Sequence, residues 1–125
     1  MPDAPISWGE LIDKLTILEL KAARLSDPAA LANVRRELAV LAPLEAAASD
    51  ARLPALRAAL MEVNATLWDI EDRIREKEAT ADFGAAFVEL ARAVYRQNDR
   101  RAALKREISL ALGSDLIEEK SYGAR

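Results

Sequence analysis

Three groups of side chains in this sequence have the types and spacing to do chemistry. The first is the carboxylate set Asp69, Glu71, Asp72, Glu76 and Glu78. Asp69 and Asp72 stand three residues apart, so on a helix they share a face and form the kind of oxygen pair that can hold Mg²⁺. Glu10 and Asp13 repeat the spacing. Against a metal role, Arg73 and Arg75 follow Asp69 and Glu71 by four residues, where they are expected to make ordinary surface ion pairs. No residue is therefore assigned to a metal or to catalysis.

The second group is a row of cations. Arg92, Arg96 and Arg100 stack at four-residue spacing, Arg101, Lys105 and Arg106 follow, and only Asp99 offsets them within that span. Stacked like charges cost about 0.2 to 0.5 kcal/mol per pair, so something outside the row should compensate. Pairing with Asp69 and Asp72 across a helical hairpin would account for Arg92. It would not reach Arg100 and Arg101, which lie two turns further along, facing Glu62 or solvent; an anionic ligand or an acidic partner is the expectation there.

The third group is a gap in an apolar stripe. Phe87, Leu90 or Ala91, and Val94 lead in and Leu104 and Ile108 lead out, but the positions between are Gln97 or Asn98 and Arg101. Counting back across the hairpin sets Asn64 opposite. Inside a bundle such a polar layer must be hydrogen-bonded, and it either sets register or binds something. With Trp68 as a wall, the candidate ligand-binding residues are Asn64, Trp68, Gln97, Asn98, Arg100 and Arg101. Trp8 beside its Leu stripe reads as core or interface.

Absences narrow the chemistry. There is no His and no Cys, so imidazole acid-base catalysis, a Ser-His-Asp triad, a thiolate metal site, a cysteine nucleophile and a disulfide framework are excluded. The four glycines are too scattered for a phosphate-binding loop. No cofactor is expected. A net charge of −3 and a pI near 5.1 disfavour bulk binding to nucleic acid or anionic membrane. No run approaches the ~18 apolar residues of a membrane span. The N-terminal residues lack a signal-peptide pattern, so the cytoplasm is the expected compartment.

The elements that must position these groups are helices. Ser7-Trp8-Gly9-Glu10 reads as a capping box with Ile6 and Leu11 as its staple, and Leu11, Leu15, Leu18, Ala22 and Leu25 form the stripe of a first helix ending near Leu25. Ser26-Asp27-Pro28 opens a second helix with Leu31, Val34, Leu38 and Leu41 inward, which Pro43 kinks or ends. After a break at 50–54, Leu53, Leu56, Leu60, Val63, Leu67, Ile70 and Ile74 alternate three and four through a third helix. A turn at 79–84, with Asp82 as cap, leads to a fourth from about Phe83 to Leu112, closed by Gly113. Asp115 to Glu118 reads as a last short helix within a tail of residues 114–125 that frays at its end. The expectation is a single all-α domain over 1–125, an antiparallel bundle of four main helices with a long hairpin between the third and fourth and a short C-terminal helix or tail.

The chain resembles a family of short bacterial proteins catalogued as a domain of unknown function. The resemblance rests on Ser7 to Glu19 (SWGELIDKLTILE), Leu67 to Asp72 (LWDIED), Tyr95 to Ile108 (YRQNDRRAALKREI) and Glu118 to Tyr122 (EEKSY). It covers nearly the whole chain and implies no activity, substrate or catalytic residue. Acidic pairs of the Asp69/Asp72 kind are used by all-α nucleotide pyrophosphohydrolases, with a closer, Glu-rich spacing. The first helix is also similar to that of helical chorismate mutases in its Ile12-Asp13 followed by Leu18 to Arg24, at a different spacing. Together these readings lead to a non-enzymatic helical interaction module acting as a homodimer, because long Leu stripes in so short a chain ask for more partner surface than one protomer offers. The alternative is a small-molecule or phosphate-handling enzyme with its pocket between the third and fourth helices.

Overall fold

The computed structural model describes residues 1–114, 116, 117 and 119. They form α1 (Trp8–Arg24), α2 (Pro28–Leu41), a short 3-10 helix (Ala42–Ala47), α3 (Leu53–Ala79) and α4 (Ala85–Ala111), with no strand among the described residues. The all-α bundle with its α3–α4 hairpin follows the hydrophobic periodicity. No helix among the described residues is long and apolar enough to cross a membrane.

Local chemistry explains most helix ends. Ser7 Oγ accepts a hydrogen bond from Glu10 N at 3.1 Å and Asp27 Oδ2 accepts one from Ala30 N at 2.9 Å, each satisfying a donor that the first turn leaves orphaned. At the other end of α4, Ser114 N reaches Ser109 O at 2.8 Å and Gly113 N reaches Leu110 O, while Gly113 sits at φ +73°. That is a Schellman closure, and it needs the positive φ that glycine adopts without strain. α3 closes in the same way through Asp82 N to Lys77 O and Ala81 N to Glu78 O, but the residue forced to φ +54° is Ala81.

Two local expectations are corrected. Ile6 is 53% exposed, so the staple to Leu11 does not close over the helix entrance. α2 ends at Leu41, just ahead of Pro43 as expected, and the backbone continues as the 3-10 helix that contains Pro43. Asp82 is not the cap of α4: the helix begins at Ala85 with Gly84 as N-cap, and Asp82 pairs with Lys77 at 3.0 Å while also accepting from Gly84 N. The last short helix expected over 115–118 rests on residues 115 and 118, which lie outside the described residues, as do 122–125.

α1 is the central helix. It contacts α2, α3, α4 and the 3-10 helix, and the backbone of α2 lies against α1 and the 3-10 helix. The register is legible in the contacts: Gly9 meets Ser109 and Asp13 meets Arg101, so α1 and α4 are antiparallel, while Asn64 meets Asp13 and Asp69 meets Arg24, so α1 and α3 run the same way. Leu11, Ile12 and Leu15 of α1 join Leu53, Leu60 and Val63 of α3 and Leu104 and Ile108 of α4 in one core; full burial of such side chains stabilises by about 1.5 to 3 kcal/mol each.

Seventeen residues make α1 about 25 Å long, against about 40 Å for the 27-residue helices α3 and α4. α1 therefore fills the α3–α4 groove only as far as Arg24. Beyond that level the hairpin continues as an arm, and from Glu71 to Ala103 no residue is buried.

Candidate functional site

Where α1, α3 and α4 meet, four polar side chains interlock. Asp13, 3% exposed, points from α1 into the bundle. Its Oδ1 accepts from Arg101 Nε at 2.9 Å and from Asn64 Nδ2 at 3.0 Å, and its Oδ2 accepts from Arg101 Nη2 at 2.5 Å. Asn64 Nδ2 also donates to Thr16 Oγ1 at 2.9 Å, and Thr16 Oγ1 donates to Asp13 O at 2.7 Å. A carboxylate taken out of water needs charge and hydrogen bonds together, and the fork of Arg101 supplies both. Among the described residues no buried side-chain N or O atom lacks a hydrogen-bond partner.

One turn further along the same interface, Lys105 Nζ pairs with Glu10 Oε1 at 2.6 Å, and Gly9 N donates to Ser109 Oγ at 2.9 Å. Gly9 has a steric reason to be glycine. A methyl here would fall inside the van der Waals radius of the Lys105 carbonyl and of Ser109 Oγ. The absence of a side chain lets α1 and α4 approach closely enough for Asp13 to reach Arg101.

Beside the polar cluster opens a cleft of about 280 Å³, lined by Ile17, Leu20, Asn64, Leu67, Trp68, Glu71, Asn98 and Arg101. Arg24 lies over the Trp68 ring at 5.5 Å while pairing with Asp69 at 2.7 Å, so the indole is braced from outside. Of the six residues singled out from the sequence, Asn64, Trp68, Asn98 and Arg101 line this cleft. Gln97 is half-buried elsewhere on α4, and Arg100 is exposed and outside the lining.

Several partners differ from the sequence-based expectation. Arg92 pairs with Glu89 of its own helix at 3.3 Å, not with α3, and Asp69 turns instead to Arg24 of α1. Arg73 and Arg75 make no ion pair with Asp69 or Glu71. Arg24 of α1 takes the place at Asp69 that Arg92 was expected to fill. Among the described residues no group of three or more potential ligands could hold a metal ion.

Asp13 is the residue that sequence reasoning missed as the partner of Arg101. A signal for it exists. Gly9, Ile12, Asp13, Thr16 and Leu20 recur at three- and four-residue spacing as a second face of α1, and all five are buried. Attention to the Leu stripe alone hides that face.

A second ionic junction braces the far side of α1. Arg57 of α3 reaches Glu19 at 2.5 Å and Glu45 of the 3-10 helix at 2.8 Å. Its guanidinium is held still more firmly protonated than usual by the hydrogen bonds it donates to Glu19 first and Glu45 second.

The profile of a family of unknown function, DUF6165, matches residues 3–125. The chain belongs to that family. No curated protein and no solved structure matches it. The polar cluster and its cleft are thus features of a DUF6165 protein whose role has to be inferred from its own geometry.

Proposed function

We propose that this DUF6165 protein is a non-enzymatic interaction module that works as a homodimer through its α3–α4 arm. The observation that carries the reading is the uncovered stretch from Glu71 to Ala103, in which no residue is buried although it carries Ile74, Phe83, Phe87, Val88, Leu90, Val94 and Tyr95. Helices in water depend on tertiary packing of an apolar face for most of their stability, and a bare arm of this length calls for a partner. The ionic chemistry of the site supports the same view. Arg101 commits its Nε and Nη2 to Asp13, a use that sets the register of three helices. Light scattering should return twice the 13.7 kDa of one chain; a monomer at high micromolar concentration overturns the reading.

A second reading, binding or processing of a small molecule in the cleft, draws on two groups. Among the described residues the Asn98 amide and the Glu71 carboxylate have no hydrogen-bond or ion-pair partner and both line the cleft. A thermal-shift panel of nucleotides, phosphorylated sugars and Mg²⁺ tests it, since a ligand at 100 times its Kd adds about 2.7 kcal/mol of stability. A compound-specific rise lost in Asn98→Ala would favour this reading.

A further inference from the structure

α4 carries two apolar faces. One, with Phe87, Leu90 and Val94, is half-buried or turned towards α3. The other runs Gly84, Val88, Ala91, Tyr95, Asn98, Ala102 at alternating four- and three-residue spacing, the pattern of a helix seam. Continued by the same rule it reaches Lys105 and Ser109, the residues buried beneath Gly9 of α1. The stripe is therefore one continuous seam. α1 covers its lower end and stops at Arg24, leaving Val88 42% and Tyr95 56% exposed above.

What covers the bare half should be a helix, and the seam suits a second copy of itself. Ala91 is its small central residue, with Val88 on one side and Tyr95 on the other, so a two-fold axis beside Ala91 sets Val88 of one copy against Tyr95 of its partner, and the reverse, as an isologous contact requires. Charge selects the antiparallel arrangement. From the turn along α4 the charge runs from acidic, with Asp82 and Glu89, to basic, where Arg92, Arg96 and Arg100 outnumber Asp99, while α3 beside it carries both signs throughout. Parallel copies would set like charges together, whereas antiparallel copies bring tip to base. Arg100, which has no ion pair among the described residues, then meets the acidic end near the turn. The same symmetry carries the tip aromatic Phe83, 54% exposed and packed edge-on against Phe87 at 5.2 Å, to the level of residues 98–100 of the other copy. There the cleft beside Trp68 opens.

We propose that the bare stripe of α4 is an antiparallel homodimer seam centred at Ala91, and that the tip of each copy seats Phe83 in the Trp68 cleft of the other. This rests on the dimer reading above and gives it an interface, an orientation and an occupant for the cleft.

Because the chain has no Cys, single cysteines are clean probes. Under a mild oxidant, Ala91→Cys should give a covalent dimer. Tyr95→Cys alone should not, whereas a mixture of Val88→Cys and Tyr95→Cys chains should. Tyr95→Lys should lower the mass in light scattering to one chain while keeping the helical circular dichroism. In a Trp8→Phe background, which leaves Trp68 as the only indole, Phe83→Ser should shift the emission to the red. Self-linking of Tyr95→Cys without the mixed product would mean a parallel seam and overturn the proposal. A dimer in which no cysteine links and Tyr95→Lys changes nothing overturns the seam but leaves the dimer reading standing; a wild-type monomer overturns both. Unchanged Trp68 emission in Phe83→Ser overturns the seating of the tip, and a compound that blue-shifts Trp68 in a monomer assigns the cleft to a small molecule instead.

Discussion

Asp13 and Arg101 show what a buried ion pair does when each partner has nowhere else to go. Asp13 is 3% exposed and the Arg101 side chain about a third exposed, so the desolvation cost falls mainly on the carboxylate. Arg101→Leu should leave that charge uncompensated and cost about 3 to 5 kcal/mol, whereas replacing both residues with Leu should recover much of the loss. Urea denaturation of the two single variants and the double variant checks this, and an Arg101→Leu protein as stable as wild type would refute the pairing. Exposed pairs behave differently. Asp82 is held below its ordinary 3.8 by the hydrogen bond from Lys77 first and by the Gly84 amide second. A depressed carboxylate stabilises the fold above its unfolded pKa and loses that contribution as pH falls through the lower folded value; at a fully exposed site the effect is small. Carboxylate NMR should show the Asp82 midpoint below 3.8, returning towards it in Lys77→Met.

At the scale of the element, two positions test the backbone logic. Gly9→Ala pushes a methyl against the Lys105 backbone carbonyl, an obstruction that cannot rotate away. α1 and α4 must separate, at a cost of about 1 to 3 kcal/mol typical of overpacking, and the Asp13–Arg101 geometry should loosen with it. Ala81→Gly should act the other way. Ala81 ends α3 at φ +54°, where a Cβ costs roughly 1 kcal/mol, so thermal unfolding should move up by an amount equivalent to a few tenths to about 1 kcal/mol after the extra freedom of glycine in the unfolded chain is allowed for. Gly113, in the same role at the end of α4, is the internal control: Gly113→Ala should destabilise.

At the scale of the molecule, the fold divides into a packed base and an uncovered arm. Cooperative protection belongs where apolar contacts are dense, so amide hydrogen exchange should be slowest around Leu11–Leu18, Leu60–Asn64 and Leu104–Ser109. Protection of residues 71–99 should depend on protein concentration if a second copy covers the arm, and dilution should release it while the base stays protected. Concentration-independent protection throughout would argue that the arm is stable alone.

The helices themselves were legible in the sequence. Ser7, Asp27 with Pro28, and Gly113 mark ends by local hydrogen bonding and φ preference, and the three-four alternation from Leu53 to Ile74 is a property of one helix that neighbours need not supply. Asn64, Asn98 and Arg101 were legible as an interruption in an apolar stripe for the same reason. Their partner was not. Whether Asp13 faces water or Arg101 depends on which helix lies in the α3–α4 groove, and periodicity gives each helix a face without naming the helix opposite it. The expected pairing of Arg92 with Asp69 failed on that point, since α1 reaches Asp69 first. The bare arm is also a tertiary fact: the lengths of α1 and α3 can be counted from the sequence, but only their register shows that α1 ends at Asp69 and leaves the seam of α4 uncovered from Gly84 to Tyr95.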